Sequence, residues 1–364
     1  MGQENTSSPT SQLSRQRILI IGPSNIGDAI LASDVIRALV STFPSAHVTL
    51  VVGARAKALF VEDPRIHSLV DADAFNTLAG RLTLAQALWR YHPHLVVDLR
   101  HTLYPILLKP LHAWRYLRQP PRTLRHMRER QVWKLRAQIP SIRIAEAPGD
   151  HAGSLWLGAK DRAHIDGLWR RWDLDQTRRL VVICPGARSH IKRWTTEGVA
   201  EVADRLIAKD RATVVFSGEP DEEPVIEEIR GLMDQTAYST VGITMIRQAA
   251  ALMQRAQLVI TNDSASLHLA SALKIPTVAI FGPTDETKYG PTAPQQRIIR
   301  RRLFCTPCEQ ALCRFNHECM RFISANEVYQ AAVELLGQGA ARPGAYESRT
   351  GGDGGRGKRK GLIR

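Results

Sequence analysis

The residues of this chain best suited to chemistry lie in short loops, each directly after a run of apolar, β-branched residues. The first is Gly22-Pro23-Ser24-Asn25-Ile26-Gly27-Asp28, which delivers a carboxylate where a helix is expected to begin, at about Asp28. Asp28 there reads either as a helix cap, worth about 1 kcal/mol, or as a carboxylate facing a crevice. The loop has no GxGxxG and no Gly-Lys-Ser/Thr ending, so neither a dinucleotide fingerprint nor a Walker loop is supported. The second loop runs from Pro185 to Trp194. Gly186 opens it for close backbone approach, and Arg188, Lys192 and Arg193 add positive charge, a composition suited to a phosphate or diphosphate. The third, Asn262 to Ser271, opens a helix with small and hydroxyl-bearing residues, whose free N–H groups can hold an anion. Asp263 and Ser264 can cap that helix as well, and His268 falls one turn in. Gly282-Pro283-Thr284 and Ser217-Gly218-Glu219-Pro220-Asp221-Glu222 end two further strands. An acid in the latter loop would suit a ribose hydroxyl pair or a base amine.

The apolar runs that position these loops are Arg17 to Gly22, Val48 to Gly53 and Leu95 to Leu99 in the first half. Leu180 to Cys184, Thr213 to Gly218, Leu258 to Thr261 and Thr277 to Gly282 follow in the second. Such runs alternating with amphipathic stretches (Ala29 to Phe43, Asn326 to Gln338) predict parallel sheets covered on both faces. With 364 residues there is room for two doubly wound α/β domains, joined near residue 170. The expected organisation is a disordered leader over 1–16, domains over 17–168 and 169–338, and a disordered basic tail over 339–364. Hydrophobic residues make up 44% and charged residues 23%, which suits a globular interior and excludes a disordered chain. No run of 18 apolar residues occurs, which excludes a transmembrane helix, and the polar N-terminus is not a secretory signal. Gly2 and Thr6 match a loose acylation pattern.

Charge is concentrated in two places. Residues 109–143 carry +9 and residues 349–364 carry +5, which accounts for the whole net charge of +14. Acidic partners are therefore expected at particular places: nucleic acid, an anionic membrane surface or a phosphorylated substrate. Within the first patch Arg115, Arg118, Arg122 and Arg125 recur at helical spacing, but Pro120 and Pro121 interrupt them, predicting two short helices or a lid-like loop. Cys305, Cys308, Cys313 and Cys319 cluster around His317 with a spacing reminiscent of a metal knuckle, yet the second pair lacks CxxC spacing, so a structural thiol cluster is preferred and no metal is assigned. Asp71-Ala72-Asp73 and Asp173-Leu174-Asp175 lie outside the strand-end loops and are discounted as metal ligands.

Taken in order, IGDAIL, STFPSAHVTLVV, PGARSHIKRW, ITNDSASLHLASAL, TVAIFGPT and the CxxC block resemble glycosyltransferase family 9, the bacterial heptosyltransferases of lipopolysaccharide core assembly. The resemblance spans Arg17 to Ile323. It implies a GT-B architecture, two Rossmann-like domains facing a central cleft, and inverting, metal-independent transfer with no cofactor. The implied donor is ADP-L-glycero-D-manno-heptose, held by the C-terminal domain. The implied acceptor, a Kdo-lipid A or heptosylated core, meets the N-terminal domain. The resemblance places the catalytic carboxylate on Asp28 and the lysine of the second loop on Lys192. The donor contacts fall on Gly186, Ala187, Arg188, Glu222, Asp263, Ser264, Ala265, His268, Gly282, Pro283 and Thr284. Acceptor contacts are expected at Ser24, Asn25, Gly27, Arg118, Arg122 and Arg125. Ala265 stands where the family has Gly, and Ser33-Asp34 where it commonly has Thr-Pro.

An acceptor hydroxyl is a poor nucleophile, so a positioned carboxylate must take its proton, and Asp28 is assigned that work. Lys192 and the N–H groups around Ser264 and Ala265 are expected to stabilise the departing diphosphate. Trp114, Trp133, Leu111, Leu117 and Leu124 are expected to rest against the inner membrane surface, making the protein cytoplasmic with peripheral contact. Two alternatives carry different predictions. The same fold could use another nucleotide-sugar and a non-lipopolysaccharide glycan. A nucleic-acid-binding protein could use the basic segment instead, but the strand-end loops would then have no purpose, so no nucleic-acid partner is expected.

Overall fold

The computed structural model describes residues 16–142 and 155–338; residues 1–15 of the expected leader, with Gly2 and Thr6, the end of the basic segment at 143 and the tail lie outside these described residues. Two all-parallel sheets organise the chain. The first has the order β3-β2-β1-β4, from β1 (Arg17–Ile21), β2 (His47–Val52), β3 (Ser68–Asp71) and β4 (Leu95–Asp98). The second has the order β10-β9-β8-β5-β6-β7. Its strands are β5 (Leu180–Cys184), β6 (Thr213–Phe216), β7 (Tyr238–Ser239), β8 (Leu258–Asn262), β9 (Thr277–Phe281) and β10 (Gln296–Arg300).

Alternation along each strand feeds two cores. Ile18 and Ile20 of β1 enter a cluster that runs through Ile165 and Leu168 of the helix Ala159–Arg171 to Val182 and Val259 of the second sheet. Leu19 and Ile21 point the other way, onto Leu84, Leu88 and Tyr116. The opposite face of the second sheet packs Val181, Ile183 and Phe216 beneath Ile226, Ile229 and the helix Ala325–Gln338. Strands buried on both faces are why these segments read as continuous apolar runs.

The helix expected over Ala29 to Phe43 is two helices, Ile26–Leu31 and Ser33–Thr42, divided at Ala32. Ser33 Oγ donates to Ile30 O at 2.6 Å, one turn back, and occupies the carbonyl at the break. Asp28 is accordingly not the cap. Asn25 is, and Asp28 sits in the first helical turn. The basic segment divides as its prolines require, into Ala113–Leu117 and Met127–Gln138, with an irregular loop between.

Candidate functional site

Strand order reverses between β1 and β4 in the first sheet and between β5 and β8 in the second. Ligands of open parallel sheets bind outside the carboxyl ends at such points. The loops singled out by composition emerge there: 22–28 after β1, 185–194 after β5 and 263–268 after β8.

The strand-end loops of the second half brace one another. Asn262 Nδ2 donates to Pro185 O at 2.6 Å, and Trp194 N donates to Asn262 Oδ1 at 3.2 Å. Lys192 Nζ donates to Asp263 Oδ2 at 2.7 Å, and Asp263 is only 5% exposed. Arg193 is turned inward to Ala187 O at 2.8 Å, so it supports the loop rather than facing a ligand. Gly186 lies close against the Glu222 carboxylate: a Cβ there would lie 2.0 Å from the carboxyl carbon and make that side chain move. Glu222 is thereby laid against the second loop, where its carboxylate also accepts from Glu219 N at 2.9 Å. Burial pushes the Glu222 carboxyl above its ordinary range, only partly offset by that amide. Ser264 occupies the N-cap position of the helix Ala265–Ala272 without a side-chain capping bond, and Ala265 has no left-handed backbone, so the missing glycine costs nothing in conformation.

Across the cleft, helix Ile26–Leu31 packs on helix Ala265–Ala272. The contact is close at one point: a Cβ on Gly27 would lie 2.9 Å from His268 Cδ2. His268 is buried, and that burial pulls its imidazole below the ordinary histidine range despite the nearby carboxylates of Asp263 and Asp28. Asp28 takes a hydrogen bond from Asn25 Nδ2 at 3.3 Å, and Arg188 Nη1 reaches Asn25 Oδ1 at 3.5 Å from the other half. Ser24 Oγ, His101 Nε2, His268 Nδ1 and Thr284 Oγ1, all on segments that follow strands, are buried polar atoms with no hydrogen-bond partner among the described residues, which buried polar atoms usually have.

Two residues escaped the sequence reading. Lys134, buried on helix Met127–Gln138, donates to Leu99 O at 2.6 Å beside Asp98. Burial lowers its ammonium to about 8, with Asp98 and more distantly Asp28 opposing the shift. His101 follows β4, and its unpartnered Nε2 is named above. The sequence signal for this cluster was Asp98, the acid inside the apolar run Leu95 to Leu99.

Of the basic and apolar residues of this segment, Arg125 is exposed yet its Nη2 is bound to Asp285 Oδ2 at 2.9 Å. Trp133 is half-buried, with the Arg118 guanidinium 5.5 Å over its ring, and Leu124 is half-buried too. Arg122 is exposed, as are Leu111, Trp114 and Leu117. Leu103 and Leu107 join that apolar surface without having been anticipated.

Asp71 and Asp73 accept backbone amides of Asp73 and Ala54, and Asp175 those of Thr177, so these acids are turn-formers. Cys305, Cys308, Cys313 and Cys319 line a cavity of about 240 Å³ that Ile191 and Pro283 also border. All five cysteines are free, and among the described residues no group of three or more His, Cys, Asp or Glu is disposed to hold a metal ion.

Two Rossmann-like halves with strand-end loops facing one cleft define a GT-B protein. The solved structure of a family 9 glycosyltransferase from Veillonella parvula superposes with a TM-score of 0.72 at 21% identity, covering 89% of this chain and 97% of that one. The ADP-heptose lipopolysaccharide heptosyltransferase II of Escherichia coli superposes with a TM-score of 0.67 at 22% identity, over 89% and 99%. In sequence, the lipooligosaccharide heptosyltransferase 2 of Haemophilus influenzae is 26% identical, over 78% of this chain and 88% of that protein. The family description glycosyltransferase family 9 (heptosyltransferase) matches residues 151–318. By these comparisons the chain is similar to the heptosyltransferases of glycosyltransferase family 9, whose description it matches over residues 151–318.

Proposed function

We propose that this chain moves a heptose from ADP-L-glycero-D-manno-heptose to a lipopolysaccharide core acceptor, Kdo-lipid A or already heptosylated, with inversion and without a metal. The observation that carries the reading is the meeting of Gly27 and His268, which sets the carboxylate of Asp28 against the diphosphate-suited loops. Residues 17–168 form the acceptor half in this reading and residues 169–338 the donor half. The donor contacts are Gly186, Ala187, Arg188, Glu222, Asp263, Ser264, Ala265, His268, Gly282, Pro283 and Thr284. Ser24, Asn25 and Gly27 border the acceptor. Asp28 removes the acceptor hydroxyl proton as the sugar–oxygen bond forms on the face opposite the departing ADP. Lys192 and the N–H groups at Ser264 and Ala265 take up the charge that gathers on the diphosphate. Direct assay of purified protein with ADP-heptose and a panel of truncated acceptors tests the reading. Transfer is expected, together with thermal stabilisation by ADP exceeding that by UDP, GDP or TDP; stabilisation by another nucleotide alone would move the donor assignment.

The acceptor is lipid-linked, and the surface beside the cleft suits an anionic bilayer. Leu103, Leu107, Leu111, Trp114 and Leu117 are all more than half exposed, and Lys109, Arg115, Arg118 and Arg122 flank them. No helix among the described residues is long and apolar enough to cross a membrane, so the proposed attachment is peripheral, on the cytoplasmic face of the inner membrane. Changing Arg118 and Arg122 to Glu is expected to abolish binding to anionic vesicles, raise the acceptor KM and leave ADP affinity unchanged. Vesicle binding equal to that of the parent would remove this surface from the reading.

A further inference from the structure

The loop between the two helices of the basic segment grips the opposite half of the molecule at two points. Arg125 Nη2 donates to Asp285 Oδ2 at 2.9 Å, and Asp285 is 5% exposed. The other oxygen of that carboxylate is occupied within its own turn: Oδ1 accepts from Thr287 N at 2.9 Å and Thr287 Oγ1 at 2.7 Å, capping the short helix Glu286–Tyr289. Five residues on, Gly290 O accepts from His126 Nε2 at 3.0 Å. A carbonyl only accepts, so Nε2 carries the hydrogen; His126 Nδ1 in turn accepts from Arg128 N at 3.2 Å, which fixes the ring's tautomer and direction. The loop is itself braced, with Arg130 Nη1 on Leu124 O at 3.1 Å and Arg128 paired with Asp34. Asp34 lies on the helix Ser33–Thr42, directly after the helix that carries Asp28.

One loop is therefore tied on one side to the helices around Asp28 and on the other to both ends of the turn that follows Gly282-Pro283-Thr284. We propose that Arg125 and His126 are positioning residues for the transfer step. They fasten the donor-side turn 284–290 to the acceptor-side half and so set the Thr284 hydroxyl relative to Asp28. The inference rests on the glycosyl-transfer reading above for what the positioning accomplishes. An exposed arginine meeting a buried carboxylate that already caps its own turn is a contact that forms only when the two halves are together.

The test combines Arg125→Met, Arg125→Lys, Asp285→Asn and the double variant Arg125→Met/Asp285→Asn. Expected is a fall in kcat of about 10-fold for Arg125→Met, with the acceptor KM and the ADP dissociation constant within about 3-fold of the parent. Arg125→Lys should restore most of the rate, and the double variant should be no slower than the worse single one, because both remove the same bond. Hydrogen exchange in the unreacted protein should rise over 286–290 in Arg125→Met. That measurement needs no turnover, so it judges the latch even if the parent transfers no heptose, an outcome that would sink the functional reading alone. Unchanged exchange at 286–290 overturns the proposal. So does a raised acceptor KM at constant kcat, which would return Arg125 to the acceptor, or additive losses in the double variant.

Discussion

Asp28→Ala is expected to lower kcat by about 10³-fold while ADP affinity stays within a few-fold of the parent, since a positioned general base contributes about 10²–10⁴. The structure makes this variant unusually clean. Asn25, not Asp28, occupies the cap position, and the hydrogen bond given to Asp28 is a 3.3 Å contact from Asn25. What the carboxylate offers the fold is its place in the first turn of a short helix, worth about 0.3–1 kcal/mol. A thermal midpoint within a few degrees of the parent is therefore the expected companion to near-complete loss of transfer. Asp28→Asn keeps shape and hydrogen bonding but cannot take a proton, and should be equally inactive. Turnover of Asp28→Asn within 10-fold of the parent would reduce Asp28 to a structural residue and leave the acceptor hydroxyl without a base.

The strand-end loops could be read from sequence because their composition answers to backbone position. Gly186 lies against the Glu222 carboxylate and Gly27 against the His268 ring, so a Cβ at either position would make its neighbour shift. The central strands were equally legible, being buried on both faces. β3, β7 and β10 were not, because SLVD and QRIIR are half-buried and mix polar with apolar residues and β7 is two residues long, whereas the edge strand β4 buries three of its four residues and keeps an apolar run. The division at Ala32 has no Gly or Pro to announce it and depends on a serine bonding one turn back. Least legible were partnerships set by the meeting of the halves. Arg125 reads as one more cation in a basic stretch, and nothing local ties it to Asp285, 160 residues away. Lys134 likewise looks like surface charge until the helix carrying it packs beside β4 and buries it near Asp98.

Lys192→Ala is expected to reduce kcat/KM for the donor by about 10²–10³, the usual loss when one preorganised donor to a developing anion is removed. The ion pair with Asp263 adds a second consequence. Asp263 is buried, and without Lys192 its carboxylate stays in the site, unpaired and facing an incoming diphosphate. Breaking one side of such a pair generally costs more than deleting both. The double variant Lys192→Ala/Asp263→Asn should therefore bind ADP more tightly than Lys192→Ala alone, although both remain poor catalysts. Lys192→Arg keeps the charge but not the compact ammonium that reaches Asp263 Oδ2, and partial activity is expected of it. Added Mg²⁺ should rescue none of these variants, and EDTA should leave the parent enzyme's rate unchanged, if, as proposed, Lys192 and backbone amides meet the charge on the departing diphosphate. A strict requirement of the parent for a divalent ion would overturn this account. Tighter ADP binding by Lys192→Ala than by the double variant would show that Asp263 holds the donor on its own and that the lysine serves the chemical step alone.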